Sequence, residues 1–242
     1  MSEEAEPTVV QVTVGAPIER VWESLRDPDL IRLWHGWHYD DLDAEINVIF
    51  LKDADANETA HTLQLSDGDR FELEAAEGGT VVRVVRAPYV PDTEWSQYYH
   101  EITEGWLSFL QQLRFMHELH PGETRRTLFL MGSGALGAVD ELLESVPTTV
   151  GAAHYTAEHQ RGLALPALGP GLLVVAAKPP VTGDQGEVTA DAMAIITTYG
   201  LDDEAFASGG REVDGVVAVG VPPGSAGSGL AVGFRPPDLG WI

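Results

Sequence analysis

DTEWSQYYHEITEGWLSFLQQLRFMHEL, residues 92–119, is the stretch whose reading decides the fold. Its large apolar residues are Trp95, Tyr98, Tyr99, Ile102, Trp106, Phe109, Leu110, Leu113 and Met116. Steps of three and four are the period of one helix face. Gln97, Glu101, Glu104, Ser108, Gln111 and Arg114 fall between them and suit a solvated face. At about 1.5 Å per residue the helix spans roughly 40 Å, which calls for a broad partner such as a sheet. An amphipathic helix of this kind is ordinarily core. Its aromatic row also suits the wall of a ligand cavity, because rings with polar tips can face both protein and ligand.

Upstream, TVVQVTV at 8–14 is rich in β-branched residues and predicts a strand. Pro17 then opens a short helix at a position where its missing N–H costs nothing, with Ile18, Val21, Trp22 and Leu25 as the apolar stripe. Leu30, Ile31, Leu33 and Trp34 suggest a second short helix, followed by a turn at His35-Gly36-Trp37-His38. From Ala44 to Arg86 the period reads as two, predicting strands at 44–51, 58–65, 69–76 and 79–86. Ser66-Asp67-Gly68 and Glu77-Gly78-Gly79 are hairpin signals. Strand, helix pair, meander and long helix make an α+β domain, its curved antiparallel sheet gripping the long helix.

The 242-residue chain is hydrophobic over 44% of its positions, enough for a packed core. A formal charge of −24 opposes binding to nucleic acid or to anionic membrane surfaces. No cysteine is present, which removes disulfides, thiolate metal sites and cysteine nucleophiles. Neither a signal-peptide pattern nor an apolar run approaching a membrane span occurs, so a cytoplasmic protein without membrane insertion is expected.

Ala16-Pro17, Val21-Trp22, Trp34, and Gly105-Trp106 with Phe109, Leu110 and Leu113 carry a resemblance. Over roughly residues 8–120 the chain resembles the START-like (SRPBCC) superfamily, and within it the branch of the activator of heat-shock-protein-90 ATPase. The resemblance implies a helix-grip fold enclosing an apolar cavity. It also implies binding or transformation of hydrophobic ligands, or action on chaperones. The segment from Trp37 to Thr80 is shorter than the family usually carries.

Further on, Gly132, Gly134 and Gly137 form G-x-G-x-x-G after a strand-like run, the outline of a dinucleotide turn, with Glu158 as an approximate acidic partner. The antiparallel look of residues 151–200 argues against that reading. An internal repeat accounts for more of the chain. LFLMGSGALGAVDELLESV parallels QVTVGAPIERVWESLRD, and Glu204 and Gly215 are separated as Glu94 and Gly105 are. The expected organisation is a START-like domain at 1–122, a degenerate second copy or an α+β appendage at 123–220, and an irregular Gly/Pro-rich tail at 221–242.

The expected ligand-binding residues are Trp34, Trp37, Tyr98, Tyr99, Ile102, Trp106, Phe109 and Leu110, with His35 and Arg83 as polar cavity groups. His35-x-x-His38 sits in a turn expected near the cavity mouth. His117 and His120 suit a favourable charge at a helix C-terminus. Neither pair has the further ligands a metal site needs, and neither a nucleophile elbow nor a phosphate loop occurs, so no metal, cofactor or catalytic residue is assigned. Binding of a hydrophobic small molecule requires the fewest unseen features. A protein-interaction or co-chaperone-like module, and a cyclase- or dehydratase-like enzyme using the same cavity, are the alternatives.

Overall fold

The computed structural model describes residues 7–91, 98–135, 143–144, 152–178, 181–182, 188–202, 204–206 and 233–235. The chain divides into two compact units, one through Glu123 and one from Thr124.

In the first unit, β1 (Val9–Val14) leads into α1 (Ile18–Glu23) and α2 (Pro28–Ile31). Asp27 caps α2 by accepting the Asp29 amide at 2.9 Å, and Pro28 holds the first helical position. Next come α3 (Leu42–Ile46), continuing as a π-helical turn over Asn47–Lys52, and the strands β2 (Asp55–Asn57), β3 (Thr62–Gln64), β4 (Arg70–Ala76) and β5 (Gly79–Val85). The long helix α4 runs from Tyr99 to Leu119. The sheet is antiparallel in the order β1-β5-β4-β3-β2, so the first strand pairs with the last, and α4 packs across β1. This is the α+β helix-grip arrangement expected from the sequence.

Two expectations for the meander fail. Residues 44–51 are helical, not a strand. The buried residues Leu42, Ile46 and Phe50 recur every four positions, while Val48, which a strand would have placed with Ile46 and Phe50, is exposed. The wider π turn keeps Phe50 on the inner side. The expected strand at 58–65 is replaced by a turn and the short strand β3, which pairs with β2. The β4–β5 hairpin does form at Gly78-Gly79. Gly79 has φ +153, and a Cβ there would lie 2.0 Å from the Val14 carbonyl oxygen, so only glycine fits between the strands.

The face of α4 expected to be solvated is partly covered, since Ser108 and Gln111 are buried. The Ser108 hydroxyl donates to the Glu104 carbonyl at 3.0 Å, which satisfies it within its own helix. Gln112, also buried, donates to the Gly36 carbonyl at 3.1 Å and ties the His35-Gly36 turn to α4. His117 does not act as a charged helix terminus. Its ring lies 3.0 Å from Ser24 Oγ, and burial, with Arg20 nearby, holds it below its ordinary value. His120 is buried beside Glu123, with Nδ1 3.1 Å from Oε2. Residues 92–97, including Trp95, lie outside the described residues.

The second unit holds β6 (Arg125–Ala135), β7 (Ala152–Thr156), β8 (Gln160–Leu165), β9 (Gly171–Ala177), β10 (Val181–Thr182), β11 (Val188–Tyr199) and β12 (Gly233–Arg235). Its order is β12-β6-β11-β9-β8-β7, with β10 folded back on β11. Again the first long strand pairs antiparallel with the last, and the meander runs outward from there. Leu130, Leu163, Leu165, Leu173, Val175 and Ile196 form its core. Gly132 and Gly134 lie within β6, paired with Ala192 and Ala190, so they make no phosphate-binding turn. Gly137 and Gly215 lie outside the described residues. The tail expected to be irregular contributes β12, which pairs with Met131–Ser133 of β6.

Candidate functional site

The inner face of the first sheet follows from strand parity. In β5, Thr80, Val82 and Val84 are buried, and Arg86 extends the same row just past the strand end. In β4 the matching row is Phe71 and Leu73, preceded by Asp69. Arg83 has the opposite parity. It lies on the outer face, bound to Gln11 Oε1 at 3.2 Å and Glu74 Oε2 at 2.8 Å. Arg83 is therefore not a cavity group.

Between sheet and helix most of the aromatic residues meet edge to face. Trp34 contacts His35, Phe50 and Phe71, with ring centroids 5.7, 5.6 and 6.4 Å apart. Trp106 contacts Phe71 at 5.2 Å, Phe50 at 6.2 Å and Phe109 at 6.2 Å. Trp37 reaches Phe109 at 6.4 Å from a half-buried position. Of the expected binding residues, Trp34, His35, Trp37, Trp106 and Phe109 thus form one cluster, with Phe50 and Phe71 as members the sequence reading missed. Leu110 is fully buried, Tyr98 and Tyr99 are half-buried, and Ile102 is exposed.

Two polar groups bracket the cluster. At one end lies His35, which is 1% exposed and not at a solvated mouth. Its Nε2 is 3.1 Å from Glu45 Oε1, and the Tyr39 hydroxyl donates to Glu45 Oε2. Burial pushes the Glu45 carboxyl up. The hydrogen bond and charge of His35, with the Tyr39 hydrogen bond, outweigh it and leave Glu45 below the ordinary 4.5. Burial and the adjacent carboxylate raise the Tyr39 hydroxyl, which stays protonated as a donor. A carboxyl lowered by folding contributes stability above its unfolded value, and that contribution is lost as pH falls through the folded one. The stability advantage of wild type over Glu45→Gln is therefore expected to shrink as pH falls below about 4.5, as read from urea midpoints across pH. A difference that grows on acidification would overturn this assignment.

At the other end, Asp69 and Arg86 are 1% and 5% exposed. Asp69 Oδ2 accepts from Trp106 Nε1 at 2.8 Å, and Oδ1 accepts from the Ala87 amide at 2.8 Å. Arg86 Nε lies 3.2 Å from Asp69 Oδ2, in ion-pair range but off hydrogen-bond direction. The guanidinium stacks against the Tyr99 ring at 4.6 Å, and the Tyr99 hydroxyl donates to the Ala87 carbonyl at 3.0 Å. Arg86 Nη1 is buried without a hydrogen-bond partner. The signal for this pair was present in GTVVRVVR, where alternation sends Arg86 inward with Val82 and Val84, and Arg83 outward.

Among the described residues no cluster of three His, Asp or Glu could hold a metal ion, and no helix is long and apolar enough to cross a membrane. His38 is exposed and apart from His35 in burial.

No family model matches the chain, and no curated protein matches it. Solved structures do. DynU16, described as a putative protein in the dynemicin biosynthetic locus, is 16% identical over 81% of this chain and 89% of its own, with a TM-score of 0.34. The di-domain ARO/CYC StfQ from the steffimycin biosynthetic pathway is 11% identical over 88% of this chain and 95% of its own, with a TM-score of 0.34. The Aha1 dimer protein from Colwellia psychrerythraea is 16% identical over 47% of this chain and 97% of its own, with a TM-score of 0.34. By its own strand order and helix packing, the first unit is a helix-grip domain, the fold of the START-like superfamily that the sequence resembles.

Proposed function

We propose that the first unit binds a hydrophobic small molecule between its sheet and α4. The observation that carries this reading is the aromatic strip along α4. It begins at the half-buried Tyr98 and Tyr99, beside exposed Tyr89 and Ile102, and continues into the buried Trp106 cluster. Rings that grade from surface to interior along one helix suit an apolar ligand that enters at the helix N-terminus. We read the second unit as a degenerate copy of the first, supported by its matching strand path. The test is native mass spectrometry of the purified chain after mild organic extraction, with thermal-shift screening against lipids, flavonoids and fused-ring aromatics. A co-purified apolar ligand, or a clear rise in Tm with one class, is expected. Absence of both, with Trp106→Ala losing stability alone, would make the strip plain core and move the protein-interaction reading to the front.

The His35–Glu45 pair favours a second reading, a cyclase- or dehydratase-like enzyme. A buried imidazole oriented by a carboxylate is the acid–base group such an enzyme needs. The ring is, however, enclosed by Trp34, Phe50, Trp106 and Phe109, with centroids at 4.9–6.0 Å, so substrate would have to displace one of them.

A further inference from the structure

We infer that Arg86 is the polar anchor for the ligand of this site, and that it takes an uncharged oxygen acceptor on an aromatic molecule, an aryl ketone or a phenol. The inference rests on the ligand-binding reading above and adds the chemistry of what is bound.

A guanidinium carries five N–H donors, and leaving one buried and unused is costly. Arg86 is 5% exposed, and its Nη1 has no hydrogen-bond partner. Nor is it a spare surface cation. It sits in the inward row of β5, held on one side by Asp69 and capped on the other by the face of Tyr99. Asp69 cannot turn to serve Nη1, because Trp106 and the Ala87 amide fix both of its oxygens. The open donor is thus a fixed feature of the fold.

Charge selects the partner. Asp69 is buried 3.2 Å from Arg86 Nε, so the pair is neutral as a unit, and a second carboxylate at Nη1 would face Asp69 across a few ångströms of low-dielectric interior. An uncharged acceptor meets no such repulsion. Shape selects the rest, since Tyr89, Tyr99 and Trp106 present ring faces and edges around the position.

Tyr99 controls access. Its hydroxyl donates to the Ala87 carbonyl, and it occupies the first turn of α4, where Tyr98 gives the helix no side-chain cap. Rotation of this ring uncovers Nη1 while leaving the sheet intact.

The experiment titrates the full chain with 2-acetylnaphthalene, 2-ethylnaphthalene and 2-naphthoate, following tryptophan fluorescence. The acetyl compound is expected to bind about tenfold or more tighter than the ethyl compound, the worth of one hydrogen bond to a charged donor, and tighter than the naphthoate. In Asp69→Asn/Arg86→Met the acetyl-to-ethyl ratio is expected to fall to about one. A second readout needs no variant. The Arg86 Nε–Hε signal in ¹⁵N spectra is expected to move with the acetyl compound and not with the ethyl one, while that of Arg83 on the outer face stays still. Equal binding of acetyl and ethyl probes would overturn the anchor and leave ligand binding standing. Tighter binding of the naphthoate, or a preference that survives the double variant, would also overturn it. Failure of all three probes to bind would remove the aromatic-ligand reading and the anchor together.

Discussion

Asp69→Ala is expected to lose about 3–5 kcal/mol of stability in the first unit, the typical cost of removing one partner of a buried ion pair. The size follows from what the carboxylate does. It receives the Trp106 indole N–H and the Ala87 amide and neutralises Arg86, all in a position 1% exposed. Alanine leaves the guanidinium charged and buried with no counter-charge, and the indole donor unsatisfied. Tryptophan fluorescence in urea isolates the effect, because Trp22, Trp34, Trp37, Trp95 and Trp106 precede Glu123 and only Trp241 follows it. The double variant Asp69→Asn/Arg86→Met, which removes both charges, is expected to recover most of the loss. A loss below about 1 kcal/mol for Asp69→Ala would mean that water reaches the pair and that its burial has no energetic weight.

Trp34→Ala is expected to cost a comparable amount, about 3–5 kcal/mol, by opening a cavity in the aromatic cluster. Trp34 is 0% exposed, and its ring touches His35, Phe50 and Phe71, which approach from the π-helical turn after α3 and from β4 as well as from its own turn. Its indole N–H also donates to the Ser24 carbonyl at 2.8 Å, linking the α2 segment to the end of α1. Trp34→Phe keeps part of the ring volume and is expected to recover much of the loss. It still leaves the Ser24 carbonyl without its donor, a deficit of about 1 kcal/mol. Urea midpoints read through the fluorescence of the remaining tryptophans of the first unit check both variants. If Trp34→Ala and Trp34→Phe unfolded together, the cost would lie in the hydrogen bond and not in the packing.

Much of the first unit was legible because its periods are long and uninterrupted. The step of three and four from Tyr98 to Met116 is α4, and alternation gave β4 and β5 nearly to the residue. Residues 44–51 misled because β-branched Ile46, Val48 and Ile49 mimic a strand. The helical face shows only when Leu42 is read with Ile46 and Phe50. The site was half legible. Trp34, Trp106 and Phe109 follow from aromatic content on apolar faces. The expectation of Arg83 as a cavity group was an error of parity that the same alternation could have prevented. Pairing Asp69 with Arg86 needed the strand register, Arg70 opposite Val85, which no local pattern in the sequence supplies. Ser108 and Gln111 look solvated by residue type, and only the packing around α4 shows them buried.

The strand path common to both sheets sets the order in which the chain can assemble. In each unit the first strand has to wait for one made much later: Val9 pairs with Val85, and Arg125 with Tyr199. Neither sheet can therefore close by local zipping, and both belong among topologies dominated by distant contacts, whose folding takes roughly milliseconds to seconds. During synthesis β1 emerges long before its partner, so its apolar face stays uncovered until β5 and α4 have left the ribosome. The first unit then holds everything it needs to close before the second has been made.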